Sequence, residues 1–171
     1  MLVYTIKELC RTCYTCVREC PAKAIRIVGG QAEVIVERCI ACGNCTKVCS
    51  QGAKVFLNTT DRVIKLLENE PKVAALIAPS FPAEFFDIPD HLKLIGMIRA
   101  LGFEYVTEVS FGADIAADRY KKLVNESNEY YITSDCPSIV NYIKFYHPAL
   151  TESLAPIVSP MVAMSRVVHE K

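Results

Sequence analysis

Residues 10–21 read CRTCYTCVRECP and residues 39–50 read CIACGNCTKVCS. Both runs have the spacing C-x2-C-x2-C-x3-C, followed by Pro21 in the first and Ser50 in the second. They repeat with a period of 29 residues, the mark of an internal duplication. Eight of the nine cysteines lie in these two runs. Residues 1–57 carry eight basic and four acidic side chains, leaving 11 basic and 15 acidic for residues 58–171. Cysteine content and charge both change near Asn58-Thr59-Thr60, which places a domain boundary there.

The spacing has a chemical reason. A [4Fe–4S] cube needs four thiolates converging from different directions, and three cysteines two residues apart can take three corners from one tight loop. The fourth cysteine of each run is expected to start a short helix and point away from that loop. Zinc ribbons use paired cysteines and have no need for a third and fourth in each run. Disulfides are not expected in a reduced compartment. The region resembles bacterial two-cluster ferredoxins throughout its length. In those proteins the fourth cysteine of each run ligates the other cluster. That resemblance assigns Cys10, Cys13, Cys16 and Cys49 to cluster one, and Cys20, Cys39, Cys42 and Cys45 to cluster two. Ala41, Gly43, Gly52 and Ala53 are expected to let backbone N–H groups approach the sulfurs. Between the runs, Ile25–Val28, Gly29-Gly30-Gln31 and Ala32–Val36 predict a β-hairpin with a glycine turn. Each four-thiolate cube carries about −2 when oxidised, so two would offset the basic balance of this part.

The whole chain has 171 residues, 51% hydrophobic and 22% charged, and its net charge is zero. That composition is globular, and it lacks the basic excess typical of a nucleic-acid-binding protein. No apolar run approaches the roughly 18 residues of a membrane span, and the first residues do not read as a signal peptide. A cytoplasmic setting follows as an expectation, with no nucleic-acid or membrane partner.

The remaining 114 residues have a different rhythm. Asp61 is expected to cap a helix running to about Glu70, stopped by Pro71. Val73–Ala78 reads as a buried strand. Asp90 is expected to cap a second helix, with Leu92, Ile95, Ile98 and Leu101 on one face and Gly102 beyond its end. Tyr105–Ser110 predicts a second strand, Ala113–Val124 a third helix and Tyr130–Thr133 a third strand. Pro137 opens a fourth helix that ends before His147-Pro148, and Ser159-Pro160 opens a fifth. Alternating strands and helices imply a small parallel sheet with flanking helices. The predicted fold class is therefore an α+β ferredoxin-like two-cluster domain over 1–57, followed by an α/β domain over 58–171. Sites in such sheets form at strand ends. Here these are Ala78-Pro79-Ser80, Phe111-Gly112 and Ser134-Asp135-Cys136.

The segments APSFPAEF (78–85), GFEYVTEVSFGADIAADRY (102–120), TSDCPSIVNYIKFYHPAL (133–150) and SPMVAM (159–164), following a ferredoxin domain, resemble the iron-only ([FeFe]) hydrogenases. The resemblance extends over the first lobe of that family's catalytic domain. In the family the third segment reads TSCCP. Its second cysteine binds the cubane half of the H-cluster and its first relays protons. The resemblance makes Cys136 a candidate ligand of a further cluster in a longer protein, and puts Asp135 in the relay position. Arg119 and Tyr120 stand where the family has a pair of glutamates. Cys136 is the one cysteine after Cys49, and a cubane needs four thiolates, so no H-cluster is expected from this chain's own residues. The chain is expected to be a fragment of a longer protein, the alternative being that the missing lobe has been lost.

Asp135 has three readings: Ser134 or Asp135 as a cap for the helix opened by Pro137, the mark of a sensory relative, or a carboxylate proton relay. His91, His147 and His169 read as surface or helix-end residues. Tyr142 and Tyr146 read as a helix face packing on the sheet. The functional expectation is a carrier of single electrons through two [4Fe–4S] clusters. It would exchange them with a redox protein partner or with further domains of the same polypeptide. The alternatives are a redox or hydrogen sensor, and a non-catalytic electron-transfer or scaffold subunit docking through the apolar end of its last helix. The 171 residues alone are expected not to be catalytic. The resemblance implies an oxidoreductase acting on hydrogen for the longer protein.

Overall fold

A computed structural model describes residues 2–88 and 90–170. Its elements form two compact units. One comprises the chain up to Asn58 together with Cys136–Glu152, the other Thr59–Asp135 together with the stretch from Ser153 onward.

The first unit opens with strand β1 (Val3–Thr5) and a 3₁₀ turn over Lys7–Leu9, then helix α1 (Thr15–Arg18). Strands β2 (Ile25–Val28) and β3 (Gln31–Val34) pair antiparallel, with Ile25 opposite Val34 and Val28 opposite Gln31. Gly29 and Gly30 connect them, both at positive φ (55° and 75°), the backbone a two-residue turn of matching twist requires. The predicted hairpin is present, with Gln31 in the strand rather than the turn. Ile25, Ala32 and Val34 face inward, while Arg26 and Glu33 pair outside at 2.9 Å. Helix α2 (Asn44–Lys47) and strand β4 (Lys54–Phe56) follow, and β4 pairs antiparallel with β1. Its main core cluster has seven residues, Cys16, Cys20, Ala22, Ala24, Ile25, Ala32 and Ile40, and Val3, Val34, Ala53 and Ile143 are buried elsewhere in the unit. Two of those seven are cysteines, and so little apolar volume leaves a unit of this size in need of a staple.

In the second unit, helix α3 (Thr60–Asn69) has Thr59 at its N-cap. It starts one residue before the expected Asp61 cap, so Asp61 lies in the first turn, where its charge favours the helix dipole. Strand β5 (Ala74–Ile77) is half-buried rather than buried, because it has one strand neighbour; Val73 just before it is buried. Short helix α4 (Phe81–Glu84) precedes α5 (His91–Ala100). The Asp90 carboxylate accepts from the Leu92 amide at 2.9 Å, and Gly102 sits at φ +109°, as read. The buried side of α5 is centred on Leu94, whereas Leu92 and Leu101 are exposed, so the predicted face is displaced. Strand β6 (Tyr105–Glu108) pairs parallel with β5, Ala74 opposite Tyr105 and Ile77 opposite Glu108.

Helix α6 (Ser110–Glu126) starts three residues earlier than expected, since Val109 is buried and turns the chain at once. The predicted third strand is a single parallel bridge, Ile132 to Leu154. Helix α7 (Pro137–Tyr146) belongs to the first unit, and helix α8 (Pro160–His169) to the second. The Ser159 hydroxyl accepts from the Val162 amide at 3.4 Å, as read. Helix α8 has partners within its unit. It packs on α6 and β5, burying Ala163 and Met164 and half-burying Val167 and Val168, while Met161 and Val162 are exposed. Gly112 permits this approach: a Cβ there would lie 2.2 Å from the Pro160 carbonyl oxygen.

Tyr142 and Tyr146 serve the first unit. Their rings stack at 5.4 Å, and Tyr142 packs against the small core of the first unit. The Tyr146 hydroxyl lies 2.6 Å from the Ala22 carbonyl oxygen and 3.1 Å from that of Arg38. Helical spacing shows that a face is covered, not by what. Tyr146→Phe is expected to lower stability by about 1 kcal/mol, the net worth of one such hydrogen bond. Urea titration of both proteins measures it; an unchanged midpoint would mean that the hydroxyl adds nothing.

Candidate iron–sulfur site

Each cysteine run is a loop that reverses backbone handedness. Thr12 and Tyr14 in the first run, and Ala41 and Gly43 in the second, have φ of 52°, 62°, 61° and 77°. Non-glycine residues adopt that region at a cost of order 1–3 kcal/mol each, and such costs cluster at functional sites. A Cβ at Gly43 would also meet the tip of the exposed Phe56 ring at 2.8 Å. Helix α1 carries Cys16 and ends before Cys20; α2 carries Cys45 and ends before Cys49. The expectation that the fourth cysteine starts a helix is therefore corrected: it follows one. The helix turns the chain over, so third and fourth cysteines can face different sides.

The outcome is two separate cavities in the first unit. Cys10, Cys13, Cys16 and Cys49 line one, with about 350 Å³ of space free of protein atoms including its mouth. Cys20, Cys39, Cys42 and Cys45 line the other, of about 360 Å³. Cys16 and Cys20 are buried, Cys13 and Cys42 exposed, and the other four intermediate. None of the eight is in a disulfide. Among the described residues no three His, Cys, Asp or Glu side chains gather as a single-ion site. The sulfurs surround a space instead of meeting at a point, and four soft donors around each cavity suit a cluster.

Local hydrogen bonds and burial act on these thiols. Thr15 Oγ1 lies 3.5 Å from Cys13 Sγ, and this contact holds the Cys13 thiol below its ordinary value. Burial pushes Cys16 and Cys45 up, and their neighbouring cysteines add to it, while the Lys54 ammonium acts against it on both. The Ala24 amide donates to Cys20 Sγ at 3.3 Å. That donor is not among the four small residues expected to bring N–H groups to the sulfurs, of which Ala41 and Gly43 line the second cavity and Ala53 the first. Sequence reasoning misses both Lys54 and Thr15. Lys54 is 3% exposed, and no motif marks it; the one available signal is that it stands between apolar Ala53 and Val55.

The other candidates are placed differently. Cys136 is exposed at the N-cap of α7 and lines neither cavity. Asp135 is exposed. The capping reading of Ser134 and Asp135 is corrected, since α7 opens without a side-chain cap. Ser134 Oγ lies instead 2.8 and 2.6 Å from the Ala155 and Ile157 carbonyl oxygens, and its amide donates to the Tyr120 hydroxyl at 2.9 Å. Tyr120 thus anchors the loop before α7. Ala78, Pro79 and Ser80 lie beyond the end of β5, with Pro79 and Ser80 exposed, whereas Gly112 is buried in a helix–helix contact. His91, His147 and His169 are exposed at helix ends, with His147 Nε2 3.3 Å from the Tyr142 hydroxyl. No helix of the described residues is long and apolar enough to cross a membrane.

Comparison with known proteins gives this arrangement a context. Residues 2–50 match the 4Fe-4S dicluster domain family. The chain is 24% identical over 163 residues to the Nuclear prelamin A recognition factor of Xenopus laevis, covering 81% of this chain and 35% of that protein. It is 28% identical over 143 residues to the NADP-reducing hydrogenase subunit HndD of Solidesulfovibrio fructosivorans (71% and 24%). It is 48% identical over 44 residues to a component of the ion-translocating oxidoreductase complex of Methanosarcina acetivorans (26% and 17%). The chain thus spans about a third or less of the length of these relatives. Residues 71–171 match the family described as iron only hydrogenase large subunit, C-terminal domain. With that match over more than half its length, behind a 4Fe–4S ferredoxin-type domain, the chain belongs to the iron-only hydrogenase large-subunit family.

Proposed function

We propose that this chain is the electron-transfer portion of an iron-only hydrogenase relative, with a ferredoxin domain over 1–57 and a hydrogenase-like lobe over 58–171. Cys10, Cys13, Cys16 and Cys49 would hold one [4Fe–4S] cluster, and Cys20, Cys39, Cys42 and Cys45 a second. The observation that carries this reading is the division of eight cysteines between two cavities, four each, with Cys20 and Cys49 each serving the cavity of the other run. A bound [4Fe–4S] group supplies one-electron redox chemistry. The protein's part is to present the thiolates, cover them with small apolar residues and keep the two sites apart. Electrons would come from a redox protein or from other domains of a longer polypeptide. Within such a polypeptide, Cys136 would contribute one ligand to a further cluster.

A second reading, a sensory or non-catalytic relative, is favoured by one contact. Tyr120 stands where the resemblance expects a carboxylate, and its hydroxyl is engaged with the Ser134 amide as an anchor. Asp135 then marks departure from the usual relay.

Iron and acid-labile sulfide, counted after anaerobic reconstitution, test the first reading. About eight of each per chain is expected, with two interacting cubane signals on reduction. Near-zero iron with bound zinc would overturn it.

A further inference from the structure

Lys54 presents a problem in physical chemistry. Its side chain is buried, yet among the described residues it has no carboxylate partner, the ion pairs there being Arg26–Glu33 and Lys122–Asp118. Two neutral oxygens receive its ammonium: Thr5 Oγ1 at 2.5 Å and the Ala32 carbonyl at 3.2 Å. Thr5 itself donates to that same carbonyl. A buried ammonium paired only with neutral groups is costly, and such charges persist where an opposite charge compensates them.

The surroundings indicate where that charge would be. Lys54, Thr5 and Ala32 all line the cavity of Cys10, Cys13, Cys16 and Cys49. Register fixes the placement, since Thr5 is opposite Lys54 across the β1–β4 pair. Among the described residues no other lysine or arginine lines either cavity besides Arg11, which is part of the wall of the first. Positive charges at the surface of the first unit are weakened by solvent and salt, whereas that of Lys54 is shielded from both.

We infer that Lys54 is the counter-charge of the cluster site formed by Cys10, Cys13, Cys16 and Cys49, a positioning residue that raises the reduction potential there and so selects which electron donors that site can use. The inference rests on the two-cluster reading above. Each one-electron reduction, by an external donor such as dithionite, adds one negative charge to a cage. A fixed positive charge in a low-dielectric wall favours that added charge more than solvent would. Removing it disfavours the reduced state at that site, and donors that reduce it in the wild type then fail to reduce it in the variant.

The test uses the reconstituted chain and EPR-monitored redox titration of wild type, Lys54→Met and Lys54→Arg. With about eight iron retained, Lys54→Met is expected to shift the potential of one cluster to a more negative value, and Lys54→Arg to stay near wild type. Unchanged potentials in Lys54→Met would overturn the inference. If Lys54→Met takes up no iron, Lys54→Arg decides. Wild-type loading and potentials there uphold a role for charge, and failure there shows that shape matters instead. Absence of iron in the wild type would sink the two-cluster reading itself, which separates the two failures.

Discussion

Cys20→Ala combined with Cys39→Ala is expected to leave one undisturbed cubane and about four iron per chain, whereas Cys16→Ala combined with Cys20→Ala leaves no undisturbed cubane. The first pair removes two thiolates from one cavity and spares the other. The second pair removes one thiolate from each, although both residues lie in the same sequence run. A run-by-run arrangement demands the opposite, because Cys16 and Cys20 would then share a site. Iron analysis and the EPR signal of the reduced protein separate the cases. An intact cubane in the Cys16/Cys20 double variant would end the crossed assignment.

Gly112→Ala is expected to have the largest effect on stability outside the cysteines. The added methyl would lie 2.2 Å from the Pro160 carbonyl oxygen, 3.0 Å from Met164 Cβ and 3.1 Å from the Met164 amide nitrogen. Two of these atoms are backbone, so no rotamer change relieves the contact. Overpacking of this kind costs about 3 kcal/mol, and the better helix propensity of alanine returns about 1 kcal/mol. The net loss of about 2 kcal/mol would lower Tm by roughly 4–8 °C in a chain of this size. Circular dichroism melts of wild type and variant measure it. An unchanged or raised Tm would show that α6 and α8 do not approach as described.

These two predictions draw on features of unequal legibility. The cysteine runs are readable because a cube demands a fixed number of thiolates at a fixed spacing, whatever the neighbours. Asp90, Gly102, Ser159 and the Gly29-Gly30 turn are readable because caps and tight turns are local chemistry. Tyr130–Thr133 misleads because its composition favours a strand, while strand formation depends on partners distant in sequence. Strands β1 and β4, three residues each, are too short to show a period. Lys54 is invisible for a related reason: a lysine in a short polar-apolar alternation reads as solvated until the register across β1 and β4 is known. Gly112 reads as a strand end, and its actual role depends on a helix nearly fifty residues further along.

The first unit is discontinuous, since its closing helix α7 arrives only after residues 59–135 have been made. At ordinary synthesis speeds that interval lasts roughly 4–16 s. Throughout it, both cysteine runs are already present on the nascent chain, while Tyr146 is not yet there to meet the Ala22 and Arg38 carbonyls. Synthesis therefore leaves an interval in which those two carbonyls wait for the hydroxyl that ties α7 to the rest of its unit.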